Sequence, residues 1–268
     1  MKRWLLACLL ALLPLTGGAA FDHSHAAWTA LLQRHVVLID GGNASQVDYA
    51  GFARDRTALQ AYLASLSAVP QREFDAWTKP QQLAFLINAY NAFTVELILT
   101  KYPDLKSIRD LGSLFSSPWK QKFFTVLGEK RHLDWIEHEV IRKPGVYDEP
   151  RIHFAVNCAS VGCPMLREEA FVAARLDAQL EEQTRRFLAD RSRNRYDPRS
   201  GKLQVSQIFD WYGNDFEAGY RGIASLGQFF GKYADLLADA AADREKVRQG
   251  RAAIGFIDYD WALNGVRR

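Results

Sequence analysis

The sequence lacks an excess of charge of either sign. Its 268 residues include 34 Lys and Arg against 31 Asp and Glu, which gives a net charge of +3 at pH 7. No stretch combines clustered basic residues with interleaved aromatic residues, so the pattern excludes a nucleic-acid-binding protein. The chain also lacks the polar bias of disordered proteins, because 48% of its residues are hydrophobic and 24% are charged. A folded domain is therefore expected.

Sequence motifs that bind the common cofactors are absent. There is no Gly-rich phosphate loop, no dinucleotide fingerprint, no His-Glu-x-x-His zinc helix and no Gly-x-Ser-x-Gly elbow. These absences remove several large enzyme classes, and we expect neither a cofactor nor a metal ion. His138, His153, Cys158 and Cys163 would supply four zinc ligands, but the Cys-x4-Cys spacing offers at most one close ligand pair.

Long hydrophobic runs are missing after the first twenty residues. Residues 1–20 have the parts of a secretory signal peptide: Lys2 and Arg3, an apolar run over 4–15, and small residues up to Ala20. The apolar run is shorter than the roughly 20 residues that a bilayer span requires. We expect cleavage after Ala20, a periplasmic or secreted mature chain 21–268, and no transmembrane anchor after cleavage.

The hydrophobic pattern predicts a single domain of the α+β class, predominantly helical with a small antiparallel β component. Residues 83–99 are apolar nearly all round and predict a core helix, with Thr78 as its N-cap. The other predicted helices are 26–35, 51–67, 135–142, 167–191 and 225–242. The predicted extended segments are a hairpin turning at 128–130, a strand over 151–156 and a strand over 254–259.

Two asparagines interrupt the core helix on one face. Asn88 and Asn91 are three residues apart, so they project from the same side. A buried amide without a hydrogen bond costs about 1 to 3 kcal/mol. The pair is therefore expected either to hold neighbouring loops to the helix or to form a polar stripe in a binding pocket.

The residues suited to chemistry are concentrated between Leu133 and Pro164. Cys158 is a candidate nucleophile, which needs a base and a group that orients the base. His138 is the preferred base, with Asp134, Glu137 or an asparagine as the orienting group. His153 is the poorer base, because an odd offset in an extended strand directs it away from Cys158.

The two cysteines of the mature chain leave a second interpretation open. Cys158 and Cys163 are five residues apart, and two cysteines in an oxidising compartment usually pair. A disulfide between them would pin one turn. That bond would exclude both a reactive thiol and a pair of thiolate metal ligands.

Several blocks of sequence carry a family resemblance. They are 83–92, 133–138, 150–160, 162–164, 208–212 with 215–216, and 259–264. In this order they resemble the domain of unknown function 547 (DUF547) family, over nearly the whole mature chain. The resemblance implies an exported bacterial protein of α+β build with no settled activity. It marks eight positions without giving them roles: Asn88, Asn91, Glu137, His138, Arg151, His153, Asn157 and Cys158.

A buried helix followed by a hairpin is also loosely similar to papain-like and transglutaminase-like cores. In those enzymes a cysteine opens the core helix, whereas the comparable helix here offers Asn88 and Asn91. Two functions remain. The first is a domain that binds a protein or a small molecule, with a disulfide and a polar pocket of His138, Arg151 and Asn157. The alternative is a thiol-dependent hydrolase or acyl transferase with Cys158 as nucleophile. The stability that exported proteins gain from disulfides favours the first.

Overall fold

A computed structural model describes residues 20–113 and 116–266 of the chain. The predicted signal peptide lies outside the described residues except for Ala20. The helices are α1 (Ala26–His35), α2 (Tyr49–Arg54), α3 (Arg56–Ser67), α4 (Gln71–Asp75), α5 (Lys79–Leu99), α6 (Leu176–Ala189), α7 (Ile208–Trp211), α8 (Gly213–Glu217), α9 (Leu226–Gly231), α10 (Ala234–Leu237) and α11 (Ala241–Arg248). The strands are β1 (Val36–Ile39), β2 (Ala44–Val47), β3 (Phe124–Val126), β4 (Glu129–Arg131), β5 (Arg195–Asp197), β6 (Lys202–Ser206) and β7 (Ala253–Ile257).

Helix α5 is the centre of the larger hydrophobic core. Its start has a capping box in which Thr78 Oγ1 accepts the Gln81 amide at 3.4 Å and Gln81 Oε1 accepts the Thr78 amide at 2.9 Å. The helix is long and apolar enough to cross a membrane, yet 94% of its most apolar window is buried inside the protein. Helices α2 and α3 pack against it, which confirms the prediction of a core helix.

The sheets are small. β1 pairs with β2 and β3 with β4, both antiparallel. The second pair is the predicted hairpin, and it turns through Leu127 and Gly128, which both have positive φ angles. In the third sheet β6 pairs antiparallel with β5 and parallel with β7, so the β component is mixed and not wholly antiparallel. The α+β class and the helical majority are confirmed.

An aromatic cluster forms a second, smaller core. It is built around Phe154, Phe209, Phe216 and Phe229, with helices α7, α8 and α9 supplying the last three rings. Phe154 comes from the short segment that precedes the cysteine loop. The candidate site therefore lies where the two cores meet.

The predicted strand over 151–156 is wrong. Residues Pro150–Phe154 form a 3-10 helix, in which Pro150 occupies the first position and the Glu149 side chain accepts the Arg151 amide at 3.1 Å. Proline has no amide proton for a strand ladder, and the Glu149 cap starts a helical turn instead. This change of conformation removes the reason for directing His153 away from Cys158.

Other boundaries also moved. The helix predicted over 51–67 is two helices separated at Asp55. The helix predicted over 167–191 begins at Leu176, and the one over 225–242 is divided into α9 and α10. The helix predicted over 135–142 is present as a π-helix, Trp135–Ile141.

Candidate active site

A pocket of about 300 Å³ brings the candidate catalytic residues together. Glu137, His138, His153 and Cys158 all line it, as does Cys163. Asp134, the predicted orienting group, is also in its wall. A larger pocket of about 420 Å³ shares Cys163 and Tyr259 with it but is lined by neither imidazole. The candidate catalytic residues therefore share the smaller of these two pockets.

Amide side chains fix the loop that presents Cys158. Asn91 on α5 donates to the Ala155 carbonyl at 2.9 Å and accepts the Asn157 amide at 2.8 Å. Asn157 donates to the Pro164 carbonyl at 2.7 Å and accepts the Ala159 amide at 3.0 Å. These bonds close the loop and set Cys158 at its bend, just before Ala159, which has a φ of 65°.

Cys158 is a partly exposed free thiol whose environment favours the thiolate. Its Sγ lies 3.1 Å from Ser160 Oγ and 3.2 Å from the Tyr259 hydroxyl. The pKa of Cys158 is lowered to about 7, first by a hydrogen bond from the Cys163 thiol and then by the two hydroxyls, against burial, which raises it. Burial raises the pKa of Cys163 well above its usual value. The thiolate of this pair is therefore Cys158.

The disulfide expected between Cys158 and Cys163 is not formed in this structure. Both residues are free cysteines, and the Cys158 amide donates to Cys163 Sγ at 3.0 Å. The sulfur of Cys163 serves as a hydrogen-bond partner within the loop. In this arrangement Cys158 retains its thiol for chemistry.

His153 is the imidazole that is arranged to accept a proton. Its Nε2 is 2.8 Å from Asp215 Oδ2, and its ring stacks on Tyr212 at a centroid distance of 4.1 Å. Because a carboxylate only accepts, Nε2 carries the ring proton and Nδ1 has the lone pair. Burial lowers the pKa of His153, against the hydrogen bond with Asp215, which raises it. The ring is therefore neutral and oriented at pH 7.

His138 is arranged differently. Arg142 Nη1 lies 2.8 Å from His138 Nδ1, and because a guanidinium only donates, this nitrogen is the acceptor and its lone pair is occupied. Nε2 then carries the proton, 3.8 Å from Asp134 Oδ1. The preference for His138 over His153 as the base is thus reversed by the partners of the two rings.

No hydrogen bond joins either imidazole to Cys158 Sγ within residues 20–113 and 116–266. The described partners of the sulfur are Ser160 and Cys163 on the cysteine loop and Tyr259 on the C-terminal segment. Catalytic hydrogen bonds are often long before substrate binds, and one water can bridge such a pair. Both groups face the same pocket.

Glu137 is a buried carboxylate facing the pocket. Its side chain is 9% exposed, and none of the hydrogen bonds described for the chain involves it. Its nearest described charged partner is His138, whose Nδ1 lies 4.0 Å from Oε1 and already accepts from Arg142. Glu137 and Asp134 are therefore two carboxylates of the pocket wall that receive no hydrogen bond from the described residues.

The four residues considered for ligand binding are used within the fold. Asn88 donates to the Phe171 carbonyl at 2.7 Å and accepts the Phe171 amide at 3.0 Å. Arg151 is buried and bonded to Glu149 and Asp177. Asn91 and Asn157 hold the cysteine loop, as described above. These amides and this guanidinium are bonded to protein atoms, and none of the four residues lines the pocket.

Sequence reasoning assigned no role to Asp215, Ser160 or Tyr259. Asp215 is 62 residues from His153, and Tyr259 is 101 residues from Cys158. In the sequence, Asp215 and Tyr259 were marked only by the family resemblance, whose blocks include 215–216 and 259–264. No group of three or more metal-ligating side chains is placed to hold a metal ion in the described part of the chain.

Comparison with known proteins finds one similarity to a family and no activity. Residues 74–188 match a family model described as a protein of unknown function, DUF547. A search of curated proteins and a search of solved structures found no match, so the likeness to papain-like and transglutaminase-like cores is not confirmed. The matched segment contains α5, Cys158 and both imidazoles of the pocket. Over this segment, the chain is similar to the DUF547 family.

Proposed function

We propose that this domain is a thiol-dependent acyl transferase or hydrolase, with Cys158 as nucleophile and His153 as general base. The observation that carries the proposal is that a thiol of lowered pKa and an imidazole oriented by a carboxylate line one pocket. A thiolate, a base and an orienting group are the elements that covalent catalysis requires. Asp215 takes the orienting role that the sequence assigned to Asp134 or Glu137.

The first chemical step follows from these groups. Cys158 Sγ attacks a carbonyl carbon, a carbon–sulfur bond forms, and the bond from that carbon to its oxygen, nitrogen or sulfur leaving group breaks. His153 Nδ1 takes the thiol proton and gives it to the leaving group. The Tyr259 hydroxyl, 3.2 Å from Sγ, would donate to the oxygen that becomes negative.

The second step restores the thiol. Water, or an acceptor alcohol or amine, attacks the thioester carbon and loses a proton to His153. The carbon–sulfur bond breaks, and the proton returns to Cys158. The products are a carboxylic acid when the attacking molecule is water and a new ester or amide otherwise.

An acyl-enzyme experiment tests this proposal. The protein is incubated with p-nitrophenyl acetate, and the modified peptide is identified by mass spectrometry. We expect an acetyl group on Cys158 and release of nitrophenolate. Cys158→Ala should abolish both, and His153→Asn should slow them by about 10²- to 10⁴-fold, the usual contribution of a general base.

Cys163→Ala tests the other thiol of the loop: it leaves the nucleophile but removes the hydrogen bond that does most to lower the pKa of Cys158, so acetylation at pH 7 should be slower. It should still form the adduct on Cys158. Equal nitrophenolate release by wild type and Cys158→Ala, or an adduct on another residue, would contradict the proposal.

We also propose that the chain is exported and that residues 1–20 are its signal peptide. The charged start and the apolar run of this segment support it. N-terminal sequencing of protein from the native host should begin at Phe21. A chain that retains Met1–Ala20 and stays in the cytoplasm would refute export.

A further inference from the structure

The pocket has a carboxylate that is in place for a ligand. The side chain of Glu137 is more than nine-tenths buried, lines the pocket and has no hydrogen bond within the described residues. Its oxygens are not among the side-chain atoms that are fully buried without a partner, so they open into the pocket and onto its solvent. A donor from outside the protein would supply the missing bonds.

The charge of the pocket indicates the sign of that donor. Asp134 is a second carboxylate in the wall, with a side chain that is 20% exposed. None of the residues that line the pocket is Lys or Arg. The nearby guanidinium of Arg142 is bonded to His138 and Asp215. Lys120 lies near Asp134 but does not line the pocket. The described lining is therefore acidic, and its two carboxylates approach the His138 ring from either nitrogen, at 3.8 and 4.0 Å.

Aromatic rings form the other part of the wall. Trp211, Tyr259 and Trp261 contact each other at centroid distances of 4.5 to 5.7 Å. Trp211 is 44% exposed and Trp261 is partly exposed, so their rings are open to a ligand. Ring faces attract cations, and Arg109 already lies 5.3 Å from the Trp261 centroid.

We propose that the acyl compound taken by this pocket carries an ammonium group, which Glu137 and Asp134 bind beside the rings of Trp211, Tyr259 and Trp261. This inference rests on the proposed acyl-transfer function and names its substrate class. An ammonium group satisfies a buried carboxylate and an aromatic face together. A neutral sugar would use the rings but would leave the two negative charges unpaired.

A pair of isosteric probes tests the proposal. Acetylthiocholine carries a quaternary ammonium group, and 3,3-dimethylbutyl thioacetate has the same shape without the charge. Binding is measured by calorimetry with full-length Cys158→Ala protein, which cannot be acylated at that position. We expect the charged probe to bind at least about tenfold more tightly than the neutral one, as a ring face and a buried carboxylate together allow.

Variants locate the binding group. In the Cys158→Ala background, Glu137→Gln should reduce the preference for the charged probe to less than about threefold. The neutral glutamine amide cannot attract the ammonium charge as the carboxylate does. Glu139→Gln is the matched control, since Glu139 lies on the same helical segment, is 60% exposed and does not line the pocket. It should keep the full preference. Asp134→Asn provides a second test if Glu137→Gln is poorly folded.

Equal affinity for the two probes, or no binding of acetylthiocholine at millimolar concentration, would overturn the proposal. So would an unchanged preference in both Glu137→Gln and Asp134→Asn. These results would not contradict the proposed acyl transfer, because the binding experiment uses a protein that lacks the nucleophile. Conversely, the wild type could fail to acetylate Cys158 while Cys158→Ala still prefers the charged probe. That result would contradict the proposed acyl transfer and would support the ammonium-binding site.

Discussion

Hydrogen-bond partners decide which histidine can act as a base. His138 and His153 line the same pocket, but one ring nitrogen of His138 accepts from Arg142, whereas His153 donates to Asp215. The free lone pair therefore belongs to His153. These hydrogen bonds cannot be read from the spacing of the histidines and Cys158 along the chain. The sequence favoured His138 because the spacing of His153 and Cys158 in a predicted strand pointed His153 away.

The reactivity of Cys158 should follow its lowered pKa. Because the thiolate is the nucleophile, the rate of alkylation by iodoacetamide should rise with pH and reach half its maximum near pH 7. A thiol without these partners would do so at about pH 8.5. Tyr259→Phe removes one donor to the sulfur and should move the midpoint to higher pH. The rate is measured on Cys158 by peptide mass spectrometry.

The control for this measurement is Tyr147→Phe, which removes a hydroxyl that does not contact Cys158. Its midpoint should stay with that of the wild type. A wild-type midpoint at pH 8.5 or above, or the same midpoint in Tyr259→Phe, would show that the loop does not stabilise the thiolate.

Helix α5 organises the fold through two amides as well as through its apolar faces. Asn88 fixes the backbone at Phe171, and Asn91, one turn later, fixes the backbone at Ala155 and Asn157. Each side chain bonds one carbonyl and one amide of a loop that would otherwise be buried without partners. The helix therefore positions the cysteine loop and the loop at Phe171 by the same kind of side-chain contact.

These two asparagines allow stability and site geometry to be separated. Asn88→Ala and Asn91→Ala each leave two buried backbone groups without partners, so each should lower the free energy of unfolding by about 2 to 4 kcal/mol. Only Asn91→Ala should also change the alkylation rate of Cys158, because only Asn91 contacts the cysteine loop. Denaturant titration and the alkylation assay measure the two effects.

Asn214→Ala is the reference for both variants, since Asn214 is exposed. It should change stability by less than about 0.5 kcal/mol. If Asn88→Ala altered alkylation as much as Asn91→Ala, the two loops would not be held independently.

Asp215 connects the two hydrophobic cores. Helix α8, which carries it, is anchored in the aromatic cluster by Phe216. The Asp215 carboxylate bonds Arg142 at 2.6 Å and His153 at 2.8 Å, on the side of the pocket. Although burial opposes it, the hydrogen bonds from His153 and Arg142 hold the pKa of Asp215 well below its usual value.

This lowered pKa makes part of the stability depend on pH. A carboxyl with a depressed folded pKa stabilises the protein above its unfolded pKa, about 3.9, and the contribution is lost as the pH falls toward the folded pKa. Asp215→Asn should therefore be less stable than wild type by about 1 to 3 kcal/mol at pH 7, and the difference should shrink below about pH 4. Thermal unfolding at several pH values checks this.

Asp210→Asn is the matched control, because Asp210 lies on the neighbouring helix and is exposed. It should follow the wild type across the pH range. If the difference in stability between Asp215→Asn and wild type stayed constant from pH 3 to pH 7, the charge of the Asp215 carboxylate would not contribute to the stability of the fold.

The sequence predicted the elements that local signals determine. The capping box at Thr78, the apolar periodicity of 26–35 and the turn at Gly128 each lie within a few residues, and the structure has all three elements. The strand over 151–156 was wrong because Pro150 and the Glu149 cap outweigh a pattern of alternating residues. Asp215 and Tyr259 could not be assigned roles, because their partners are brought to them only by the packing of the whole chain.

The hydroxyl that contacts Cys158 belongs to the C-terminal segment. Tyr259 is followed by Asn264, whose carbonyl accepts the Val47 amide at 3.0 Å, so this segment is laid against the β1–β2 hairpin near the start of the described chain. During translation the cysteine is made 101 residues before its tyrosine. Before the C-terminal segment docks, the loop itself supplies the Cys163 and Ser160 contacts to the sulfur, and the Tyr259 hydrogen bond that further lowers the pKa of Cys158 is missing. The order of synthesis therefore places the last of these contacts well after the cysteine loop has been made.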